Sequence, residues 1–138
     1  MTPFTEKKIG VVMGGESAER EVSLKSGRAD VQALASQGYD VREVVVDEGV
    51  TDQLRLAGIN VAFLALHGGW GEDGRIQALC EMLRIPYTGS GVLGSALAMN
   101  KLRAKQLWRG TEGQIPTADF VELGTVTPEQ AGERLGWP

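Results

Sequence analysis

The sequence predicts an α/β domain built on a parallel sheet with helices on both faces. Three observations carry that prediction. Short apolar runs alternate with stretches of helical spacing, in the order strand, helix, strand, helix, strand, helix. The runs are nearly continuous in Val, Ile and Leu, as strands covered on both faces are, rather than alternating apolar and polar. The glycines, 19 in 138 residues, gather mainly at the ends of those runs, where loops rather than low complexity would place them. Such a sheet is Rossmann-like, and its ligands bind in loops at the carboxyl ends of the strands.

The elements follow in order. Residues 1–7 read as a disordered leader. Lys8 to Met13 is the first strand and Gly14-Gly15 ends it. Glu16 to Glu21 is polar loop. A helix is predicted over Val22 to Gln37, with Gly27, Val31, Leu34 and Ala35 on one face and Ser23 or Ser17 as its N-cap. Gly38 suits the left-handed position after it. Asp40 to Asp47 is the second strand. Thr51 can cap a short helix over Asp52 to Ala57, and Val61 to Leu66 is the third strand. A helix near Gly74 to Leu83 follows, with Ile76, Leu79, Cys80 and Leu83 at helical intervals.

Pro86 to Thr88 is a short extended piece, and Gly89-Ser90-Gly91 opens another helix. Asn100 caps a helix over Lys101 to Arg109, which Gly110 and Gly113 end. Trp108 is expected to be packed. Thr117 to Leu123 is a predicted strand. Thr127, Pro128 and Gln130 make a helix start with a capping box, and that helix runs to about Leu135.

Composition narrows the function. Hydrophobic residues at 42% and charged residues at 23% are those of a soluble globular protein. A formal net charge of −4, with no basic cluster, argues against a nucleic-acid surface. No apolar run could span a bilayer, so no membrane partner is expected. Met1 to Lys8 lacks the apolar centre of a secretory signal, which makes the cytoplasm the default location. The single cysteine, Cys80, excludes an internal disulfide, offers no metal-ligand spacing and reads as a core thiol.

The stretch that organises the chain is Leu66 to Gly74, which follows the third strand and holds the only histidine, His67, with the acids Glu72 and Asp73. Glycines here let the backbone turn sharply or approach a ligand. The plain alternative is a solvated loop, but the histidine, the acid pair and four glycines in one strand-end loop favour a site. The loop after the first strand carries Glu16, Glu19 and Glu21. It lacks a G-x-G-x-x-G fingerprint, and three carboxylates would repel a phosphate. An ammonium group suits it better, although acids also favour the positive end of a helix. One loop thus offers a carboxylate to an amine and the other an imidazole to a carboxylate or a proton. A small zwitterion such as an amino acid fits both. Lys101, at a helix start beside Arg103 and Lys105, is a phosphate contact or a solvated basic face.

Four motifs resemble the D-alanine–D-alanine ligases. They are Gly14-Gly15-x-Ser17-x-Glu19-x-Glu21-Val22-Ser23, then Ala65-Leu66-His67-Gly68 with Gly71-Glu72-Asp73-Gly74, then Ile85 to Gly91, then Met99-Asn100-Lys101. They stand in the family's order and spacing over residues 8–101, with weaker similarity beyond. The resemblance implies an ATP-grasp enzyme of peptidoglycan precursor synthesis, a homodimer that uses ATP and Mg2+. ATP phosphorylates the carboxylate of one D-alanine, and the amine of a second attacks the acyl phosphate. Glu19 is implied to hold the ammonium of the first D-alanine, His67 to lie at the substrate carboxylate, and Val22 to touch the methyl group. Lys101 is implied to reach an ATP phosphate, and Glu72 to support the His67 loop from behind. Asn100 stands where most of the family has Asp, a change that keeps the helix cap.

Family members are more than twice as long. Residues 1–113 therefore read as the substrate-side, pre-ATP-grasp domain, and residues 114–138 as a linker and the start of the ATP-grasp domain. The alternatives are a non-catalytic small-ligand module and a dimerisation fragment, and the chain alone is expected to be inactive.

Overall fold

A computed structural model describes residues 6–112, 115–122 and 124–136. The chain folds as two compact units, Met1–Met99 and Asn100–Pro138. The boundary expected between residues 113 and 114 falls on positions outside the described residues, as does most of the expected leader.

The first unit holds β1 (Lys8–Gly14), α1 (Arg20–Ser36), β2 (Asp40–Val46), α2 (Val50–Leu56), β3 (Val61–Leu64), α3 (Arg75–Met82) and α4 (Val92–Met99). The sheet is parallel in the order β2-β1-β3, with Ile9 opposite Val41 and Val61, and Val12 opposite Val44 and Leu64. β1 is central, as its continuous apolar run requires. Pro86–Thr88 lies beyond β3 and pairs with it through a single parallel bridge, Ala62 to Tyr87.

The two faces of β1 feed two cores. Val12 joins Val44, Val46, Leu54, Ile76 and Cys80 on the side of α2 and α3. Val11 and Met13 pack with Leu24, Val31 and Leu34 of α1 on the other. This follows from connection order. The chain steps from β1 to β2 in one direction and returns across β1 to reach β3. Crossovers of one hand therefore place α1 and α2 on opposite faces. The strand order reverses at β1, so the loops after β1 and β3 lie side by side at the carboxyl end before leading to helices on opposite faces, the place where an open α/β sheet binds its ligands.

Gly27 lets α1 sit close. A Cβ there would come within 2.7 Å of Met13 Cβ, so only glycine allows the helix to approach β1 at this distance. Gly38, at φ +86°, supplies the left-handed position predicted after α1.

The second unit holds α5 (Lys101–Gly110) and α6 (Pro128–Leu135). Asn100 Oδ1 accepts from Arg103 N at 3.0 Å and caps α5. Thr127 and Gln130 close the predicted capping box on α6, with Pro128 in the first turn.

Several local expectations are corrected. No strand forms over Thr117 to Glu122, where no described neighbouring strand offers it partners; residue 123 lies outside the description. β3 stops at Leu64, because Leu66 already turns into the glycine loop. Neither Ser17 nor Ser23 caps α1. Glu19 occupies that position without a side-chain bond, because both serine hydroxyls are committed elsewhere. Gly49, not Thr51, precedes α2. Trp108 is 38% exposed rather than packed, and Ala35 is exposed, lying off the stripe of Val31 and Leu34.

Candidate functional site

The two glycine loops meet at the carboxyl end of the sheet, and three serines fasten them. Ser23, fully buried in α1, accepts from Gly14 N at 2.9 Å and donates to Ala65 O at 2.7 Å. It bolts the end of β1 to the start of the His67 loop. Ser17 donates to His67 O at 2.6 Å and accepts from Glu19 N at 3.1 Å. Ser26, one turn along α1 from Ser23, lies 3.1 Å from His67 Nε2. On the other flank Arg20 Nη1 donates to Gly15 O at 2.6 Å and Val46 O at 3.0 Å, tying the ends of β1 and β2 together.

This geometry brings Glu19 to the His67 loop. Gly68 has φ +67°, and a Cβ on it would lie 2.5 Å from Glu19 Oε2. The Glu19 carboxylate therefore rests on the residue next to His67, and the positive φ of that residue favours glycine there. Glu19 is exposed and His67 half-buried. Val22 projects from the first turn of α1 with 55% of its surface free, an apolar side chain the core does not use. Glu72 is exposed just after the 3-10 turn Gly69–Gly71.

Lys101 belongs to the second unit, at the first turn of α5, and is exposed. The basic group expected around it is not one patch. Arg103 donates to Gln106 Oε1 at 2.9 Å, and Lys105 donates to Ala118 O at 2.7 Å and stands over the Phe120 ring.

Glu16 has a different setting from Glu19. It lines an open cavity of about 220 Å³ with Asp47, Glu48, Val50, Trp70 and Arg75. Two carboxylates nearby are held below their usual range. Asp73 is stabilised by its hydrogen bond and ion pair with Arg75, and Asp47 by the Gly49 amide and Gln53. Among the described residues no group of three His, Cys, Asp or Glu side chains is placed to hold a metal.

The three serine bonds and the Arg20 clamp go beyond what the sequence suggests for these residues, in which Ser17 and Ser23 are candidate caps and members of the first motif. The available signal was Ser23 and Ser26 at i, i+3, a polar pair on a helix face otherwise packed into the core.

An α/β domain of this topology carries its ligand loops at the switch point of the sheet, and here the loops that bear Glu19 and His67 come together there. The comparisons make it particular. The family model for the D-ala D-ala ligase N-terminus matches residues 47–90. The D-alanine–D-alanine ligase of Nitrosococcus oceani is 54% identical over 132 residues, covering 95% of this chain and 41% of that protein. That of Trichlorobacter lovleyi is 60% identical over 145 residues, covering 95% and 46%. The crystal structure of the Bacillus anthracis ligase superposes with a TM-score of 0.80 at 34% identity, over 92% of this chain and 42% of that one. The same enzyme complexed with ATP gives 0.79 at 32%, over 92% and 45%. The chain matches the N-terminal part of the D-alanine–D-alanine ligases and spans less than half the length of these curated relatives.

Proposed function

We propose that this chain is the substrate-side part of a ligase that joins two D-alanines, with ATP converted to ADP and phosphate through an acyl phosphate. Its product serves peptidoglycan precursor synthesis, and the whole protein is a cytoplasmic homodimer. The observation that carries the reading is the convergence of Glu19 on the His67 loop, fastened by Ser17 and Ser23. Glu19 pairs with the ammonium of the first D-alanine, His67 orients its carboxylate or moves a proton, and the free Val22 side chain covers its methyl group. Glu72 supports the loop from behind.

Lys101 fits a phosphate contact, since its ammonium is exposed at a helix start. One lysine is only part of a nucleotide site, and the remainder, with the magnesium carboxylates, is assigned to the portion that longer relatives carry beyond this match. The domain boundary near 113 belongs to the same reading.

The test is made in a complete ligase carrying this domain. Glu19→Gln keeps shape and removes charge. Losing one partner of a desolvated charge pair costs about 2–5 kcal/mol. That is a fall in kcat/KM for the first D-alanine of roughly 30-fold to several thousand-fold, with ATP use little changed. His67→Gln lowers turnover as well. Glu16→Gln, in the same loop but lining the cavity beside Asp47 and Glu48, is near neutral. If Glu16→Gln and Glu19→Gln behave alike, the ammonium site is not at Glu19.

A further inference from the structure

His67 is held from two directions, and only one hold concerns its ring. Ser17 fixes the backbone, through His67 O. Ser26 meets Nε2 at 3.1 Å and also donates to Ser23 O, one helical turn back, at 3.2 Å. A serine hydroxyl has one proton. If that proton goes to His67, the bond to Ser23 O is lost. If it goes to Ser23 O, the usual back-bond of a helical serine, the Oγ lone pair faces Nε2. Both contacts are then hydrogen bonds only when Nε2 carries the proton. Two bonds replace one, and this arrangement is the one the distances describe. Among the described residues no partner is seen for the other ring nitrogen, Nδ1.

We propose that Ser26 is a positioning residue for His67: its hydroxyl accepts from Nε2–H, fixes the neutral ring in that tautomer and leaves Nδ1 as the nitrogen offered to a ligand. The tautomer follows from the geometry alone, whereas its use on a substrate rests on the proposed function. The consequence deepens that reading. A neutral ring locked this way accepts a proton at Nδ1 but cannot donate from it. Once Nδ1 has taken a proton, the same atom becomes a donor that can hold a carboxylate. The two roles considered for His67, moving a proton and orienting a carboxylate, are then successive states of one nitrogen. Ser26 keeps the ring from turning that nitrogen away.

His67 is the only histidine in the chain, so selective 15N-histidine labelling gives one ring to observe. Under conditions where imidazole is neutral, about pH 8.5, the wild-type chain is expected to show a one-bond correlation for Nε2–H and a bare Nδ1. Ser26→Ala loses that correlation to solvent exchange, and Ser26→Thr, which keeps the hydroxyl, restores it. Ser36→Ala removes a back-bonding serine from the far end of α1 and leaves it unchanged. If Ser26→Ala does not fold, Ser26→Thr against Ser26→Val makes the same comparison at constant shape. A protonated Nδ1, the absence of any ring N–H signal in the wild type, or an Nε2–H signal that survives Ser26→Ala overturns the assignment.

In a complete ligase, Ser26→Ala lowers kcat roughly fivefold to tenfold, the worth of one hydrogen bond. The KM for ATP is unchanged and Ser26→Thr recovers the loss. Unchanged turnover with the spectroscopic result intact overturns the positioning role. Full activity in His67→Gln instead overturns the ligase role of this loop, which the ring spectrum does not test.

Discussion

Glu16, Glu19 and Glu21 lie within six residues, and the fold gives each a different place. Glu16 faces the cavity with Asp47 and Glu48, Glu19 rests over Gly68, and Glu21 is exposed in the first turn of α1. The sequence named the acidic loop and His67, because glycines at strand ends and a lone histidine are visible as composition. It could not show the serine bolts. Ser17 and Ser23 reach partners 50 and 42 residues away, a distance closed only by the register of β1 against β3.

Cys80 was legible from spacing alone, and its environment gives a further expectation. It is fully buried, and burial pushes its thiol up to about 11. The folded state therefore holds that proton more tightly than the unfolded chain does. The thiol costs no stability below an ordinary cysteine pKa of about 8.5. Between there and 11 the unfolded state ionises first, and stability falls by roughly 3 kcal/mol. Urea unfolding at a series of alkaline pH values should show this decline, and Cys80→Ala should flatten it. An equal decline in Cys80→Ala would place its origin elsewhere.

At the scale of elements, local rules succeed where local groups decide. The Thr127-Pro128-Gln130 start and the Asn100 cap were read correctly because their partners lie within three residues. The strand expected over Thr117 to Leu123 does not form over the described residues Thr117 to Glu122, because apolar content does not supply a neighbouring strand to pair with. Glycine inside helices shows the same division. Gly27 and Gly94 are equivalent in sequence, and alanine is favoured over glycine in either helix by about 1 kcal/mol. A Cβ on Gly94 meets only ordinary contact, Ser90 Cβ at 3.6 Å, so Gly94→Ala should stabilise. A Cβ on Gly27 presses on Met13 Cβ at 2.7 Å, an atom fixed to the central strand. Overpacking of that kind costs about 1–3 kcal/mol, so Gly27→Ala should destabilise. Urea midpoints at constant slope would check the pair, and a gain in both would mean that α1 can shift off β1 without cost.

For the whole molecule, the fold class and strand order were legible because β1 is apolar throughout and glycines mark the strand ends. The unequal cores of the two units were not. The first unit buries Val11, Val12, Met13, Val46, Leu54 and Ile76 almost completely. In the second, Ala104 is the only buried apolar side chain among the described residues, and α6 buries none. Its ordering contacts are surface ones: Arg109 with Asp119, and Lys105 and Arg109 over Phe120. Such contacts are worth at most about 1 kcal/mol each. Amide exchange of the 138-residue chain should therefore be split. Val11 and Val12 should exchange only through global unfolding, while α5 and α6 open locally at far lower free energy. Lys101 stands in the second unit, and Asn100 already occupies one of the free amides at that helix start. A phosphate there meets one lysine and a partly satisfied helix end. Magnesium-ATP at about 1 mM should accordingly leave the exchange of α5 unchanged. A tenfold slowing would require a dissociation constant near 0.1 mM, by the ordinary linkage between ligand excess and protection. That result would show that residues 1–138 hold much more of the nucleotide site than Lys101, and it would overturn the assignment of the rest of that site to the longer protein.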